Sequence, residues 1–143
     1  MANACASIAV PASADEVWQL IGGFDSLPDW LPYIPKSVLT EGGRVRRLAN
    51  PSGDDIVERL VAFDEPGRSY SYRILEAPFP VEDYQATLSV QGDVHAARVE
   101  WRGSFTPVGV SEQEAVRLFQ GIYEDGLSAL AARFPAPPPT STP

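Results

Sequence analysis

The sequence predicts an α+β fold, in which a curled antiparallel sheet of seven strands wraps around a long C-terminal helix, with two short helices between strands 1 and 2. Three observations carry this prediction: a strand and a capped helix at the start, six strand-like segments joined by turns in the middle, and a long amphipathic segment at the end. A meander with one apolar face must curl, and the last helix is the only element large enough to cover it.

The first two elements lie in residues 6–12 and 13–24. The segment ASIAVPA is typical of a short strand and is closed by Pro11. Ser13 and Glu16 then have the spacing of a capping box, which marks the start of a helix. The sequence therefore predicts a strand followed directly by a helix.

A proline-broken, aromatic connector, FDSLPDWLPYIPKS, occupies residues 24–37. It cannot form one long helix, because each interior proline removes a hydrogen bond and clashes with the preceding turn. It is also too apolar for a solvated loop. We expect one short helical turn around Pro28–Leu31 that ends at Pro32, and Trp30 is predicted either to line a binding site or to plug the core.

Six strands follow as three hairpins, with turns at Gly42–Gly43, at DEPG and at QGD. The loops NPSGDD and PFPVED lie between the hairpins. Alternation of apolar and polar residues in the third hairpin predicts one buried and one solvated sheet face. The inward positions are Tyr84, Ala86, Leu88, Val90, Val99, Trp101, Gly103 and Phe105.

The last helix begins at Ser111, which has capping-box spacing with Glu114, and extends over roughly 23 residues or about 35 Å. Gly121 and Gly126 lie inside it, each at a cost of up to about 1 kcal/mol relative to alanine. They are expected either to make space beside the helix or to allow close packing. One domain is predicted over residues 1–134, followed by a disordered proline-rich tail at 135–143.

Composition excludes several classes of function. The net charge is −8, so the chain lacks the basic surface of a nucleic-acid-binding protein and should be repelled by anionic membranes. Cys5 and His95 are the only residues of their types, so neither a disulfide nor a Cys/His zinc site is expected, and no cofactor is predicted. We find no signal peptide and no stretch of ~18 apolar residues, and we expect a cytoplasmic protein without membrane insertion.

The element order and the segments FDSLPDWLP, IVERLVAFDEPGRSYSYRILEAPFPVEDYQATLSV and VEWRGSF resemble a known superfamily. The chain resembles the helix-grip fold of START-like and birch-pollen-allergen-like (SRPBCC) proteins over roughly residues 6–134, including bacterial polyketide cyclase/dehydrase-type proteins. The middle segment is also similar to plant abscisic acid receptors. The resemblance implies that the connector is an elbow of two short helices that keeps the core hollow under the long helix.

Alternation and the resemblance together suggest residues that line a pocket. Positions on the inner faces of the strands also fall where the receptors place ligand-contacting side chains, and so does one stripe of the long helix. Each could equally be plain core. The apolar and aromatic candidates are Trp30, Tyr72, Ile74, Phe79, Tyr84, Ala86, Trp101, Leu118, Ile122 and Gly126.

A polar pair is predicted inside this pocket. Glu58 shares strand parity with Ile56 and matches the glutamate that lines the receptors' cavity. A buried carboxylate needs a partner, and Arg47, which shares parity with Val45, or Arg59 could supply it. In the alternative interpretation Glu58 faces solvent and Arg59 points inward.

The loops LANPSGD and PFPVE fall where the receptors carry a gate and a latch, so Phe79 and Val81 could close on a ligand. The chain departs from the receptors at their key positions. Their acid-binding lysine falls near Pro32 rather than Lys36, and their latch histidine and arginine are replaced by Phe79 and Pro80. Neither hormone recognition nor phosphatase control is therefore expected.

Three functions compete. We rank first a module that binds a small hydrophobic molecule, lipid- or polyketide-like, and second a polyketide cyclase/dehydratase-like enzyme with Glu58 as general base and Tyr72 or Tyr84 as acid or oxyanion donor. A third role is docking of a protein partner, which the sequence does not identify, through exposed prolines. A salt-bridged Glu58 would favour the binding module, whereas a poorly neutralised Glu58 beside a tyrosine hydroxyl would favour the enzyme.

Overall fold

The computed structural model describes residues 1–31 and 34–135. Two predictions, the helix stop at Pro32 and the disordered tail from residue 136 onward, lie outside the described residues. The described helices and strands are, in order, β1 (Ala2–Val10), α1 (Ala14–Ile21), α2 (Leu27–Trp30), β2 (Lys36–Thr40), β3 (Val45–Ala49), β4 (Asp55–Asp64), β5 (Ser69–Glu76), β6 (Val81–Gly92), β7 (Ala97–Pro107) and α3 (Glu112–Ala132).

The seven strands form one curled antiparallel sheet in the order β1-β7-β6-β5-β4-β3-β2. Strands β2 to β7 pair consecutively, and β1 closes onto β7 with Ala6 opposite Trp101. The pairing of β4 with β5 shifts register twice, between Val57 and Glu58 and between Leu60 and Ala62. Such bulges bend and twist a strand. The predicted α+β helix-grip fold is confirmed.

Helices α1 and α3 both begin at the predicted caps. The Ser13 hydroxyl accepts a hydrogen bond from the Glu16 backbone N–H, and the Ser111 hydroxyl accepts one from Glu114, each at 3.1 Å. Each cap satisfies a backbone donor that the helix itself leaves unpaired. Within the described residues, no helix is long and apolar enough to cross a membrane.

Helix α3 lies against strands β1 and β7. Its Gln120 side chain binds the free edge of β1 twice, because Nε2 donates to the Cys5 carbonyl at 2.6 Å and Oε1 accepts from the Cys5 N–H at 3.1 Å. Phe119 packs on Phe105 with ring centroids 4.7 Å apart. Burial of each such large side chain contributes about 1.5–3 kcal/mol to folding.

In its described residues, the elbow between α1 and β2 contains one short helix, α2, with Pro28 in its first turn, where the missing N–H costs nothing. Leu27, Leu31 and Ile34 of this segment are buried. Arg133 after α3 donates to the backbone carbonyl of Asp29 at 2.6 Å, so the end of α3 is tied to the elbow. The elbow therefore covers the part of the concave face that α3 leaves open.

Candidate functional site

A cavity of about 270 Å³ lies between the concave face of the sheet, the elbow and α3. Apolar side chains form most of its wall, with Leu27, Leu31 and Ile34 coming from the elbow. The remaining apolar wall comes from the strands, from one loop and from α3. These side chains are Leu48, Ile56, Ile74, Phe79, Phe119 and Ile122.

One part of the cavity wall carries a buried ion pair, which we call the ionic end (Arg46 and Glu58, with Phe24 and Tyr70). Arg46 on β3 and Glu58 on β4 are direct cross-strand neighbours. Arg46 Nε donates to Glu58 Oε1 at 2.7 Å, and Nη2 lies 2.7 Å from the same oxygen. The register of β3 and β4 therefore places the two charged side chains next to each other on the cavity side of the sheet.

Arg46 is enclosed by aromatic rings and backbone. Its guanidinium carbon lies 4.3 Å from the ring centroid of Phe24 and 4.8 Å from that of Tyr72. Nη1 donates to the Phe24 carbonyl at 3.1 Å and to the Tyr70 hydroxyl at 3.3 Å. Burial lowers the pKa of Arg46, but Tyr70, Glu58 and Tyr72 together outweigh burial and raise it, so the guanidinium stays charged.

One carboxylate oxygen of Glu58, Oε2, has no hydrogen-bond donor among the described residues. Burial raises the pKa of Glu58 more than the charge and hydrogen bond of Arg46 lower it. Both close contacts from Arg46 fall on Oε1, and none of the residues described in the structure donates a hydrogen bond to Oε2. Because Glu58 lines the cavity, this carboxyl group is available to a bound molecule.

The predicted partner of Glu58 was wrong. Arg47 is exposed and pairs across the strands with Val38 and Val57, on the face away from the cavity. The error arose because Val45 is buried although it has the opposite parity to Arg46 and lies outside the core cluster. Arg59, the other candidate, contacts Glu41 at the surface at 3.3 Å.

A neighbouring part of the cavity wall carries a cluster of buried hydroxyl groups, which we call the tyrosine end (Tyr72, Tyr84 and Tyr123, with Trp101). It adjoins the ionic end, because the ring centroid of Tyr72 lies 4.8 Å from the guanidinium carbon of Arg46. The Tyr72 and Tyr84 hydroxyls are 3.3 Å apart, and Tyr84 is also hydrogen-bonded to Tyr123. Trp101 Nε1 donates to the Tyr72 hydroxyl at 3.0 Å. Burial raises the pKa of all three tyrosines, so they remain neutral hydrogen-bonding groups.

Gly103 leaves the space that the Tyr123 side chain occupies when it joins this cluster. A Cβ at Gly103 would lie 2.2 Å from the Tyr123 hydroxyl oxygen and 3.4 Å from the Cβ of Ala86. Gly103 and Ala86 are cross-strand neighbours, and Ala4 is the neighbour of Gly103 on the other side. This row of small residues makes the space into which α3 inserts its tyrosine.

The predicted pocket residues fall into three groups. Those that line the cavity are Glu58, Tyr72, Ile74, Phe79, Tyr84, Trp101 and Ile122. Those that are buried but lie outside the cavity wall are Trp30, Ala86 and Gly126. Those that are exposed are Arg47 and Leu118. A role for the lining residues in binding stays a prediction.

Trp30 therefore plugs the core rather than lining the cavity. It packs against Trp101 with ring centroids 6.1 Å apart. Of the predicted helix stripe, only Leu118 is exposed, whereas Ile122 lines the cavity and Gly126 is buried. The buried face of the helix also includes Phe119 and Tyr123. Gly121 makes no space at the cavity, because a Cβ there would meet nothing within 4 Å.

Sequence reasoning missed Arg46, Phe119 as a lining residue, and Tyr123. Phe119 was in the apolar pattern of the last helix, and Tyr123 follows it at i+4, so the helical period could have revealed both. The signal for Arg46 was its cross-strand position opposite Glu58, which needs the register of β3 and β4.

The loops at the mouth contribute in part. Asn50 and Pro51 of the β3–β4 loop and Phe79 of the β5–β6 loop line the cavity, whereas Val81 packs on the core. The Asn50 side chain accepts from the Asp54 N–H at 2.9 Å, which stabilises the turn. Among the described residues, no group of three or more His, Cys, Asp or Glu side chains could hold a metal ion.

Comparison with known proteins identifies the family. The model of the family "Polyketide cyclase / dehydrase and lipid transport" matches residues 1–135. The chain therefore belongs to this family. No curated protein matches the sequence significantly.

Solved structures of related proteins share the fold. The protein XoxI from Bacillus cereus is 57% identical, with a TM-score of 0.91 over 94% of this chain and 96% of that one. An uncharacterized protein from Bacillus thuringiensis is 55% identical, with a TM-score of 0.91 over 93% and 98%. The Zhui aromatase/cyclase from a Streptomyces species is 19% identical, with a TM-score of 0.73 over 92% of each chain, and shows the common fold alone.

Proposed function

We propose that this protein binds a small hydrophobic molecule, lipid-like or polyketide-like, in the cavity between the sheet and α3. The observation that carries the proposal is a cavity with a mostly apolar wall and a few polar groups, most of which belong to the ionic end and the tyrosine end. Ligand pockets usually have this composition, in which apolar area supplies affinity and a few polar groups fix orientation. The lipid transport named in the family description supports the same function.

The state of Glu58 favours binding over catalysis. Glu58 is paired with Arg46 at 2.7 Å, and no tyrosine hydroxyl among the described residues is hydrogen-bonded to it. A general base works best when it is free to accept a proton and when its pKa is near the working pH. Glu58, which is held in place by the buried Arg46, is better suited to orienting a bound molecule.

Native mass spectrometry of the freshly purified protein tests the proposal. We expect an adduct of small molecular mass that is lost on denaturation. Ile74→Trp should fill the cavity and remove the adduct, whereas Leu75→Trp, at the exposed neighbouring position, should retain it. An adduct that survives Ile74→Trp in a folded protein would mean that the molecule binds elsewhere.

A polyketide cyclase/dehydratase-like enzyme is the second candidate. It is supported by the raised pKa of Glu58, by its unpaired Oε2 and by the family description. Glu58 would act as general base and a tyrosine, Tyr72 or Tyr84, as hydrogen-bond donor to the developing oxyanion. Turnover of a poly-β-keto substrate that is abolished in Glu58→Gln but retained in Arg47→Gln would establish this function.

We also propose that residues 1–134 form one ligand-binding domain in the cytoplasm. Residues from β1 through α3 contribute to a single core cluster, which supports one domain. Cys5 is a free, exposed thiol, which fits a reducing compartment.

A further inference from the structure

The two polar ends of the cavity differ in what they can offer a ligand. At the tyrosine end, the three hydroxyl groups carry three protons, and the two hydrogen bonds among them use two. The Trp101 N–H only donates, so it takes up none of these protons. One hydroxyl proton is left over, and no further acceptor among the described residues lies within hydrogen-bond reach of the cluster.

This spare proton has to be used inside the cavity. Tyr72, Tyr84 and Tyr123 all line the cavity, so a molecule bound there lies beside the residues that carry the spare proton. A buried donor without an acceptor is unfavourable, and hydroxyl groups linked in a chain polarise one another and donate more strongly. A ligand with a hydrogen-bond acceptor at this position would therefore satisfy the spare hydroxyl proton of the tyrosine end.

The ionic end has the opposite need. An arginine that meets a carboxylate in a fork gives one N–H to each oxygen, but here Nε and Nη2 of Arg46 both approach Oε1 of Glu58. Oε2 is left with no donor from the described part of the chain. A carboxylate oxygen that lines a cavity and has no donor can accept a hydrogen bond from a bound molecule, so a ligand with a donor would suit the ionic end.

We propose that the ligand is a hydroxy-carbonyl compound with an apolar body, whose carbonyl oxygen accepts a hydrogen bond at the tyrosine end and whose hydroxyl group donates to Glu58 Oε2. This inference rests on the proposed function, because it assigns the polar groups of a molecule held in the same cavity. It also gives Arg46 the role of a positioning residue, since Arg46 turns Glu58 so that one oxygen remains free.

Four probes with one naphthalene skeleton test the proposal by calorimetric titration. The first carries a hydroxyl at one end and an acetyl group at the other, the second has methoxy in place of the hydroxyl, the third has ethyl in place of the acetyl group, and the fourth is naphthalene itself. We expect the hydroxyacetyl probe to bind more tightly than the methoxy and ethyl probes by at least about tenfold each, because each lacks one hydrogen bond.

Glu58→Gln reverses the polarity of one end. The amide oxygen would accept from Arg46, and the amide N–H₂ would then face the cavity as a donor. We expect the variant to bind the hydroxyacetyl probe about tenfold more weakly and to prefer a diacetylnaphthalene, which has an acceptor at both ends. Arg47→Gln, on the outer face, is the control and should leave all affinities unchanged.

A direct signal for the tyrosine end comes from infrared spectroscopy of the bound probe with an isotope-labelled carbonyl. Its stretching frequency should lie below the value in a hydrocarbon solvent, because the carbonyl accepts a hydrogen bond. Equal affinities for all four probes would overturn the inference and leave the proposed function standing. If none of the probes binds, naphthalene included, the inference is wrong, and the adduct experiment on the wild type and Ile74→Trp decides the proposed function separately.

Discussion

At the ionic end of the cavity the polar groups are charged and come from neighbouring strands, whereas at the tyrosine end they are neutral hydroxyls from the sheet and α3. The ionic end needs a matched partner, a carbonyl, a hydroxyl and flanking rings before Arg46 can be buried. The tyrosine end needs only a row of small residues and mutual hydrogen bonds.

The difference teaches how one apolar cavity can contain both a free acceptor and a free donor. Pairing makes the ionic end an acceptor, because both close contacts from Arg46 fall on Oε1 of Glu58 and leave Oε2 without a donor among the described residues. Burial keeps the tyrosines protonated, so the other end retains a donor. The predictions below test whether the two ends are as different in energy as they are in chemistry.

Arg46→Met should have the largest effect. It leaves Glu58 buried without its partner, which costs about 3–5 kcal/mol of unfolding free energy. Urea unfolding measures the loss, and Arg47→Met at the exposed neighbouring position should change stability by less than about 0.5 kcal/mol. The double variant Arg46→Met/Glu58→Leu should recover much of the loss. If Arg46→Met and Arg47→Met lower the free energy of unfolding equally, the buried ion pair contributes no more to stability than an exposed arginine does.

Gly103→Ala comes next and acts on the tyrosine end. Its Cβ would lie 2.2 Å from the Tyr123 hydroxyl, so the tyrosine must move out of the cluster at a cost of about 1–3 kcal/mol. Gly121→Ala is the matched control, because a Cβ there meets nothing within 4 Å and alanine favours the helix by up to about 1 kcal/mol. The thermal unfolding temperature should therefore fall in Gly103→Ala and rise in Gly121→Ala. A change in the same direction in both variants would contradict the role given to Gly103.

The pH dependence of stability should separate the two ends. The pKa of Glu58 is raised above the ordinary value of 4.5 in the folded protein, so the stability that it contributes is complete below pH 4.5 and is lost as the pH rises through the folded pKa. We expect the wild type to lose stability relative to Glu58→Gln over that window, by less than about 1.4 kcal/mol per pH unit. The tyrosines titrate above their ordinary value of 10 and should add nothing there.

The opposite slope in urea unfolding at several pH values would show that attraction by Arg46 exceeds the cost of burying Glu58. A flat difference between wild type and Glu58→Gln would place the carboxyl group in contact with solvent in the folded protein.

The smallest expected difference in stability is between two tyrosine-to-phenylalanine variants, one at each end. Tyr70→Phe removes a hydroxyl that accepts from a charged guanidinium, worth about 1.5–3 kcal/mol, whereas Tyr123→Phe removes a neutral bond worth about 1 kcal/mol. Tyr84 keeps its bond to Tyr72 in the second variant. Chemical unfolding of the two variants should differ by about 1 kcal/mol, and equal losses would mean that charge gives the ionic end no advantage.

The fold was predictable because each of its signals is local. Ser13 and Ser111 mark the starts of their helices through hydrogen bonds that span three residues. The alternation in β6 and β7 shows which side chains face inward, including Tyr84 and Trp101. Local periodicity therefore determined the elements, their order and much of the cavity wall.

Two features of the site depended on distant parts of the chain. Parity within β3 could not select Arg46, because Val45 is buried on the opposite face and only register with β4 places Arg46 beside Glu58. Tyr123 joins the cluster only because Gly103, twenty residues earlier (123 − 103), has no side chain where the helix approaches β7.

The sequence alone determined the helices, the strands and the inward set of aromatic residues, since these follow from patterns within single elements, whereas the helix-grip architecture and the inward glutamate were what the resemblance to known families implied. Only the tertiary structure decided which arginine neutralises Glu58, which helix residue meets the tyrosines of the sheet, and that Trp30 fills the core while a cavity stays open beside it. The physical reason is that the ion pair and the cavity depend on strand register and on contacts between elements that are distant in the chain. No local sequence pattern contains this information.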